Sequence, residues 1–139
     1  MVPELRYGQF MINFNSFVIM YGGMNIENKI LNDLWVLDLI TMEWLLVDYH
    51  GQTNNFPKPK FLASGEILEN TGQIIIHGGK STSEDKSLAF LNLNILLEII
   101  RFKDISNYDD QYFNYVSKIN NLWKIVEVES NIYNIIIFI

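Results

Sequence analysis

Gly78-Gly79-Lys80-Ser81 follows the apolar run Ile74-Ile75-Ile76-His77 and has the residue types of a phosphate-binding loop. That chemistry needs a further glycine five residues before Gly79, where Ile74 stands, and a helix start that the polar stretch Lys80 to Lys86 does not offer. The two histidines, His50 and His77, have no metal-ligand spacing. Glu84-Asp85 and Asp109-Asp110 are adjacent carboxylates with no nucleophile or base placed beside them, as in solvated loops. No serine lies in a strained elbow motif. Cysteine is absent, which removes thiolate catalysis, disulfides and cysteine-based metal sites. The residues therefore predict no catalytic site, no cofactor and no bound metal.

Composition narrows the field further. In 139 residues, 49% are hydrophobic and 14% aromatic, enough for a packed core and unlike a disordered tail. A net charge of −6 without a basic stripe argues against a nucleic-acid surface. The N-terminus lacks the basic and apolar regions of a secretory signal, and no apolar run approaches the roughly 18 residues of a membrane span. The expectation is a cytoplasmic protein that binds neither nucleic acid nor membrane.

What organises the chain is a repeat. Phe17 to Tyr21 is an apolar strand ending in Gly22-Gly23; a polar loop, Met24 to Leu31, leads to Leu34 to Leu39, and Trp44 to Val47 follows a short turn. Ile74 to His77, Gly78-Gly79, the polar loop Lys80 to Lys86 and Leu88 to Leu93 restate the pattern. Gly22 and Gly78 are 56 residues apart, while Leu34 and Leu88, and Pro3 and Pro57, are each 54 apart. Lys60 falls where Arg6 stood. Both faces of the strand after the loop are apolar, which suits a sheet stacked between neighbours.

A glycine pair closing an apolar strand, at a period of about fifty residues, resembles the kelch repeat. Arg6-Tyr7-Gly8-Gln9 is similar to the stretch that opens the innermost strand of a kelch blade. Leu37 stands where the family commonly has a tyrosine seven positions ahead of Trp44. The motif residues on this reading are Arg6, Gly8, Gly22, Gly23, Trp44, Gly78, Gly79 and Trp123. Some propellers of similar sequence are copper oxidases, but that resemblance requires a cysteine and does not extend to this chain.

The resemblance implies an all-β chain of antiparallel four-stranded blades in a partial β-propeller. Residues 1–50 form the first repeat and 51–129 the second, with a low-complexity insertion at about 94–121. Residues 130–139 begin a further strand or blade. The fourth strand of the second repeat falls either at 98–102 or, as the alternation around Trp123 favours, at 122–128. Since propellers have roughly four to eight blades, such a chain is expected to be a fragment or to close with copies or partners.

The implied function is a protein-interaction module without enzymatic activity, an adaptor or scaffold. The alternative is the kelch region of a larger enzyme, such as a phosphatase, with catalysis outside this chain. The candidate partner-binding loops hold Asn25, Glu27, Asn28 and Lys29 in the first repeat and Lys80, Ser81, Glu84 and Asp85 in the second. Their acidic members favour a basic partner.

Overall fold

The computed structural model describes residues 1–51, 53–101 and 118–127. Among the described residues the architecture is all-β, two antiparallel sheets and a nine-residue helix. In the first sheet, β1 (Arg6–Tyr7) and β2 (Phe10–Phe14) share one edge of β3 (Phe17–Asn25). β3 then pairs β4 (Ile30–Asp38), which pairs β5 (Glu43–Val47). The second sheet runs in chain order: β6 (Ser64–Leu68), β7 (Gln73–His77), β8 (Ser87–Asn92) and β9 (Trp123–Glu127).

Apolar β-branched and aromatic runs explain the strands. Ile19, Tyr21, Leu34 and Val36 share one buried cluster with Ile74, Ile76, Ala89, Leu91 and Trp123 of the second sheet. Side chains alternate along a strand, so Val18, Met20, Leu37 and Trp44 lie on the other face of the first sheet. The register matches the sheets residue by residue: Leu37 pairs with Trp44 and Leu91 pairs with Trp123. Val18 and Ile74, Met20 and Ile76 stand at the same spacing as the two glycine pairs. The face that the second sheet turns to the first is thus the counterpart of the face the first turns away. The sheets stack head to tail, as translated copies of one unit, and not as a mirror-like sandwich.

The third and fourth strands of the second unit are separated by α1 (Leu93–Arg101), whereas β4 and β5 are joined by a tight turn. Glu98 lies in this helix, and β9 supplies the strand beside β8. Residues 94–101 therefore correct the expectation of a low-complexity loop beginning at 94. Leu93, Leu96 and Ile99 recur at helical spacing and are buried, and Asn92 Oδ1 accepts the Ile95 N–H at 3.1 Å as an N-cap. The remainder of that tract, residues 102–117, and the further strand or blade expected from 130–139 lie outside the described residues.

A first prediction arises from the start of each unit. Gly8 has φ 68°, and Leu62, 54 residues later, has φ 60°. A left-handed conformation costs a residue with a Cβ about 1–2 kcal/mol. The Leu62 side chain is more than half exposed and makes little of that back. Leu62→Gly is expected to raise stability by up to about 1 kcal/mol, and Gly8→Leu to lower it, read from urea midpoints.

Candidate functional site

The Gly22-Gly23 pair holds the units together, and the two members of a pair act differently. A Cβ on Gly23 would press on Tyr7 O at 3.1 Å, and one on Gly79 on Phe61 O at 2.7 Å, so the second glycine lets its own unit's first strand close in. Gly22 faces the next unit: a Cβ there would stand 2.4 Å from Lys60 O. Gly23 N–H donates to Lys60 O at 2.9 Å, Lys60 N–H to Leu31 O at 3.2 Å and Leu62 N–H to Gly8 O at 2.7 Å. The segment from Lys60 to Leu62 is thereby stitched into the first unit by its main chain. Phe61 pairs with Lys80 of its own unit, as Tyr7 pairs with Met24.

The side chains of Arg6 and Lys60 complete the match. Arg6 places both Nη atoms on Asp33, at 2.6 and 2.9 Å, and donates to Gly22 O at 3.1 Å. Lys60 Nζ meets Asp85 Oδ2 at 2.8 Å, with side-chain exposures of 1% and 6%. Each cation opens its unit and binds an aspartate, Asp33 in the turn-proximal part of β4 and Asp85 two residues before β8. Asp33 also accepts the Trp35 indole N–H at 2.7 Å, and Asp85 accepts Ser87 Oγ–H at 2.6 Å and Ser87 N–H at 3.0 Å.

Burial pushes both carboxyls up. At Asp33 the hydrogen bonds from Arg6 and Trp35 and the Arg6 charge outweigh it and leave the group below its usual range. At Asp85 the Lys60 and Ser87 bonds bring the value down to about 2. A carboxylate whose folded-state pKa is depressed stabilises the fold above its ordinary value near 4 and loses that contribution as pH falls through the folded value. Stability is therefore expected to drop between about pH 4 and pH 2, with these two groups contributing nothing variable above pH 5. Urea midpoints at pH 7, 4 and 2.5 check this.

Aromatic rings fill the joint behind the main-chain bonds. Tyr21 lies edge-on to Trp123 at 5.3 Å, Tyr49 edge-on at 6.1 Å, and Phe56 tilts against Tyr49. Tyr21 O–H donates to Lys58 O at 2.9 Å, and Tyr49 O–H donates to Asn32 O. Burial raises the pKa of both phenols, so they remain neutral donors. Trp123 is buried in this joint, while its counterpart Trp44 is half-buried on the outer face and edge-on to Trp35.

The expected partner-binding loops are partly corrected. The strands run on through Asn25 and resume at Ile30, so the first loop is a four-residue turn and not the stretch from Met24 to Leu31. Asn25 is buried; its Oδ1 accepts the N–H groups of Glu27 at 3.0 Å and Lys29 at 2.9 Å and so shapes the turn from inside. Asp85 is likewise turned inward onto Lys60. Glu27, Asn28 and Lys29 are exposed, as are Lys80 and Glu84, while Ser81 is half-buried. The longer second loop borders an open cleft of about 430 Å³ lined by Lys60, Gly78, Gly79, Ser81, Ser83 and Asp85 among others. Both loops join the second and third strands, and so leave their sheets at corresponding ends.

Among the described residues no group of three or more His, Asp or Glu could hold a metal. His50 stacks on Tyr49 at 4.6 Å, and His77 ends β7. Asp109-Asp110 lie outside the described residues. No helix among the described residues is long and apolar enough to cross a membrane.

No family model matches the chain. It is similar to Protein ral2 of Schizosaccharomyces pombe, 34% identical over 93 residues, which is 66% of this chain and 15% of that protein. It is also similar to Acyl-CoA-binding domain-containing proteins 4 and 5 of Arabidopsis thaliana, each 28% identical over 94 residues, 68% of this chain and 14% of theirs. The matched stretch thus spans about one seventh of the length of these curated relatives.

Proposed function

We propose that the chain is two blades of a kelch-type propeller and works as a protein-interaction module without a catalytic site of its own. The observation that carries this reading is the head-to-tail stacking of two units, each opened by a cation bound to an aspartate and each carrying a glycine pair at the corresponding place. Units that stack in this sense repeat their loops at corresponding ends, and loops held by a rigid sheet are where binding residues concentrate. Exposed Glu27, Asn28, Lys80, Ser83 and Glu84 form the proposed contact surface, at the ends where the glycine pairs lie.

The acidic residues among them, Glu27 and Glu84, favour a basic partner; Asp85 is excluded because its charge is spent on Lys60. The relatives support the idea of a module set within longer proteins. Two of them are named for an acyl-CoA-binding domain, and only 14% of each aligns with this chain. In such a setting a ligand or a reaction belongs to another part of the polypeptide, which keeps the larger-enzyme alternative in the same frame.

The test places a photo-crosslinking residue at Asn28 or Ser83 and, separately, at Thr41 or Asn70 on the turns at the opposite ends of the sheets. Crosslinks to a discrete protein from the first pair, lost in Glu27→Lys/Glu84→Lys while the near-ultraviolet spectrum of the tryptophans is unchanged, are expected. Adducts formed only from Thr41 or Asn70 would overturn the assignment of the surface.

A further inference from the structure

We infer that the end of the first sheet formed by the turn from Leu39 to Met42 docks a protein segment that presents a lysine or arginine beside an apolar side chain. This turn joins β4 and β5, at the end opposite the loops proposed above, and its composition does not suit a solvated turn. Ile40 and Met42 are 81% and 66% exposed, and Leu39 is 40% exposed. Met42 also holds a left-handed backbone, φ 59°, where a side chain is a cost. Two other turns at that end meet the same demand with residues made for it. Asn15, φ 53°, takes the left-handed position between β2 and β3, and Gly72, φ 67°, closes the turn from Glu69 between β6 and β7. A single exposed apolar residue is ordinary. Two on one short turn, one of them on strained backbone and neither serving the core, point outward to a partner.

Hydrogen bonds hold the turn in shape, so that these side chains are presented on a fixed frame. Asp38 Oδ1 accepts the N–H groups of Ile40 at 2.9 Å and Thr41 at 3.3 Å. Met42 N–H donates to Asp38 O at 2.7 Å, and Leu39 N–H donates to Ser16 O at 2.9 Å. At the base of the turn Asp38 and Glu43 are direct cross-strand partners. Like charges placed opposite one another destabilise a sheet, and no ion pair among the described residues includes either of them. Both carboxylates border a cavity of about 220 Å³, with Phe17, Val36, Trp44 and Ile100 among its apolar lining.

Charge and shape together define the occupant. A lysine or arginine carries a cation on an apolar stem. It therefore fits a cavity with an apolar lining and two carboxylates at its border, and its charge relieves the repulsion between them. A neighbouring apolar side chain of the same segment covers Ile40 and Met42. The carboxylates fix which segment binds more than how tightly it binds. They also oppose an anionic lipid surface, as does the net charge of −6. This docking end is distinct from Glu27 and Glu84, and the inference rests neither on those loops nor on the propeller reading.

Titration of the 139-residue chain, isotope-labelled for amide NMR, with the peptide acetyl-Leu-Arg-Leu-amide tests it. Saturable movement of the Ile40, Met42 and Glu43 amides and of the Trp44 indole is expected. Acetyl-Leu-Gln-Leu-amide should bind about fivefold more weakly, and Glu43→Gln should weaken the arginine peptide by about two- to fivefold. Met42→Asn should weaken both peptides while raising the urea midpoint, because asparagine tolerates the left-handed backbone; this separates docking from folding. Glu27→Lys/Glu84→Lys should bind as the wild type does, since neither residue lines the cavity, so the failure of this inference is distinguishable from failure of the proposed loop surface. Equal binding of the two peptides, no saturable response, or a turn that responds to phosphatidylcholine and phosphatidylserine vesicles in place of the peptide would overturn it.

Discussion

Replacing Lys60 by methionine is expected to cost about 3–5 kcal/mol, because it strands the buried Asp85 carboxylate without its cation. Lys60 Nζ and Asp85 Oδ2 are 2.8 Å apart with side-chain exposures of 1% and 6%, so the water of the adjoining cleft replaces the lysine only in part. Asp85 would keep its Ser87 bonds but lose its charge partner. Lys60→Met/Asp85→Leu should recover most of the loss, since an apolar pair of similar volume is often no worse than the ion pair it replaces. Arg6→Met should cost less: Asp33 is 25% exposed and keeps the Trp35 indole. Urea unfolding of the three variants checks the order. An equal loss for Lys60→Met and the double variant would sink the argument.

Gly22→Ala is expected to be as damaging, by about 3–5 kcal/mol. The left-handed backbone alone costs about 1–2 kcal/mol. The added methyl would stand 2.4 Å from Lys60 O, a main-chain atom that cannot swing aside. Relief requires the second unit to move off, which breaks the Gly23–Lys60 hydrogen bond and opens the aromatic joint. Gly51→Ala is the control, since Gly51 has φ 80° but nothing within 4 Å of its missing Cβ. It should lose only the conformational part. Stabilities of small domains are about 5–15 kcal/mol, so Gly22→Ala would remove a large share of the whole, and thermal or urea unfolding would show it.

These two sites also show how much the sequence discloses. The glycine pairs were legible because glycine at a fixed distance after an apolar strand is a rare pattern, and Lys60 could be set against Arg6 by spacing alone. Their partners could not be read. Asp33 and Asp85 are 52 residues apart, not 54, and an aspartate next to a glutamate in a polar loop looks like any solvated charge. Asn25 was hidden in the same way: an asparagine in a loop is ordinary until its amide oxygen is found capping the turn from inside. Leu62 carries no signal of its left-handed backbone, because a leucine is what a sequence shows where the backbone demand is tolerated and not expressed. The helix from Leu93 to Arg101 was missed for a different reason. Its apolar residues follow directly on β8, and the shift from a period of two to a helical period takes place across Asn92 and Asn94 without a glycine or proline to mark it.

The stacking of the two units is the claim on which the rest depends, and amide hydrogen exchange tests it most directly. Among the described residues, the N–H groups of Gly23, Lys60 and Leu62 are the main-chain donors that cross the joint. They are predicted to exchange as slowly as the central amides of β3 and β7, and to be released together in Lys60→Met. Loop-like exchange at these three positions, with the strands of both sheets still protected, would contradict the account.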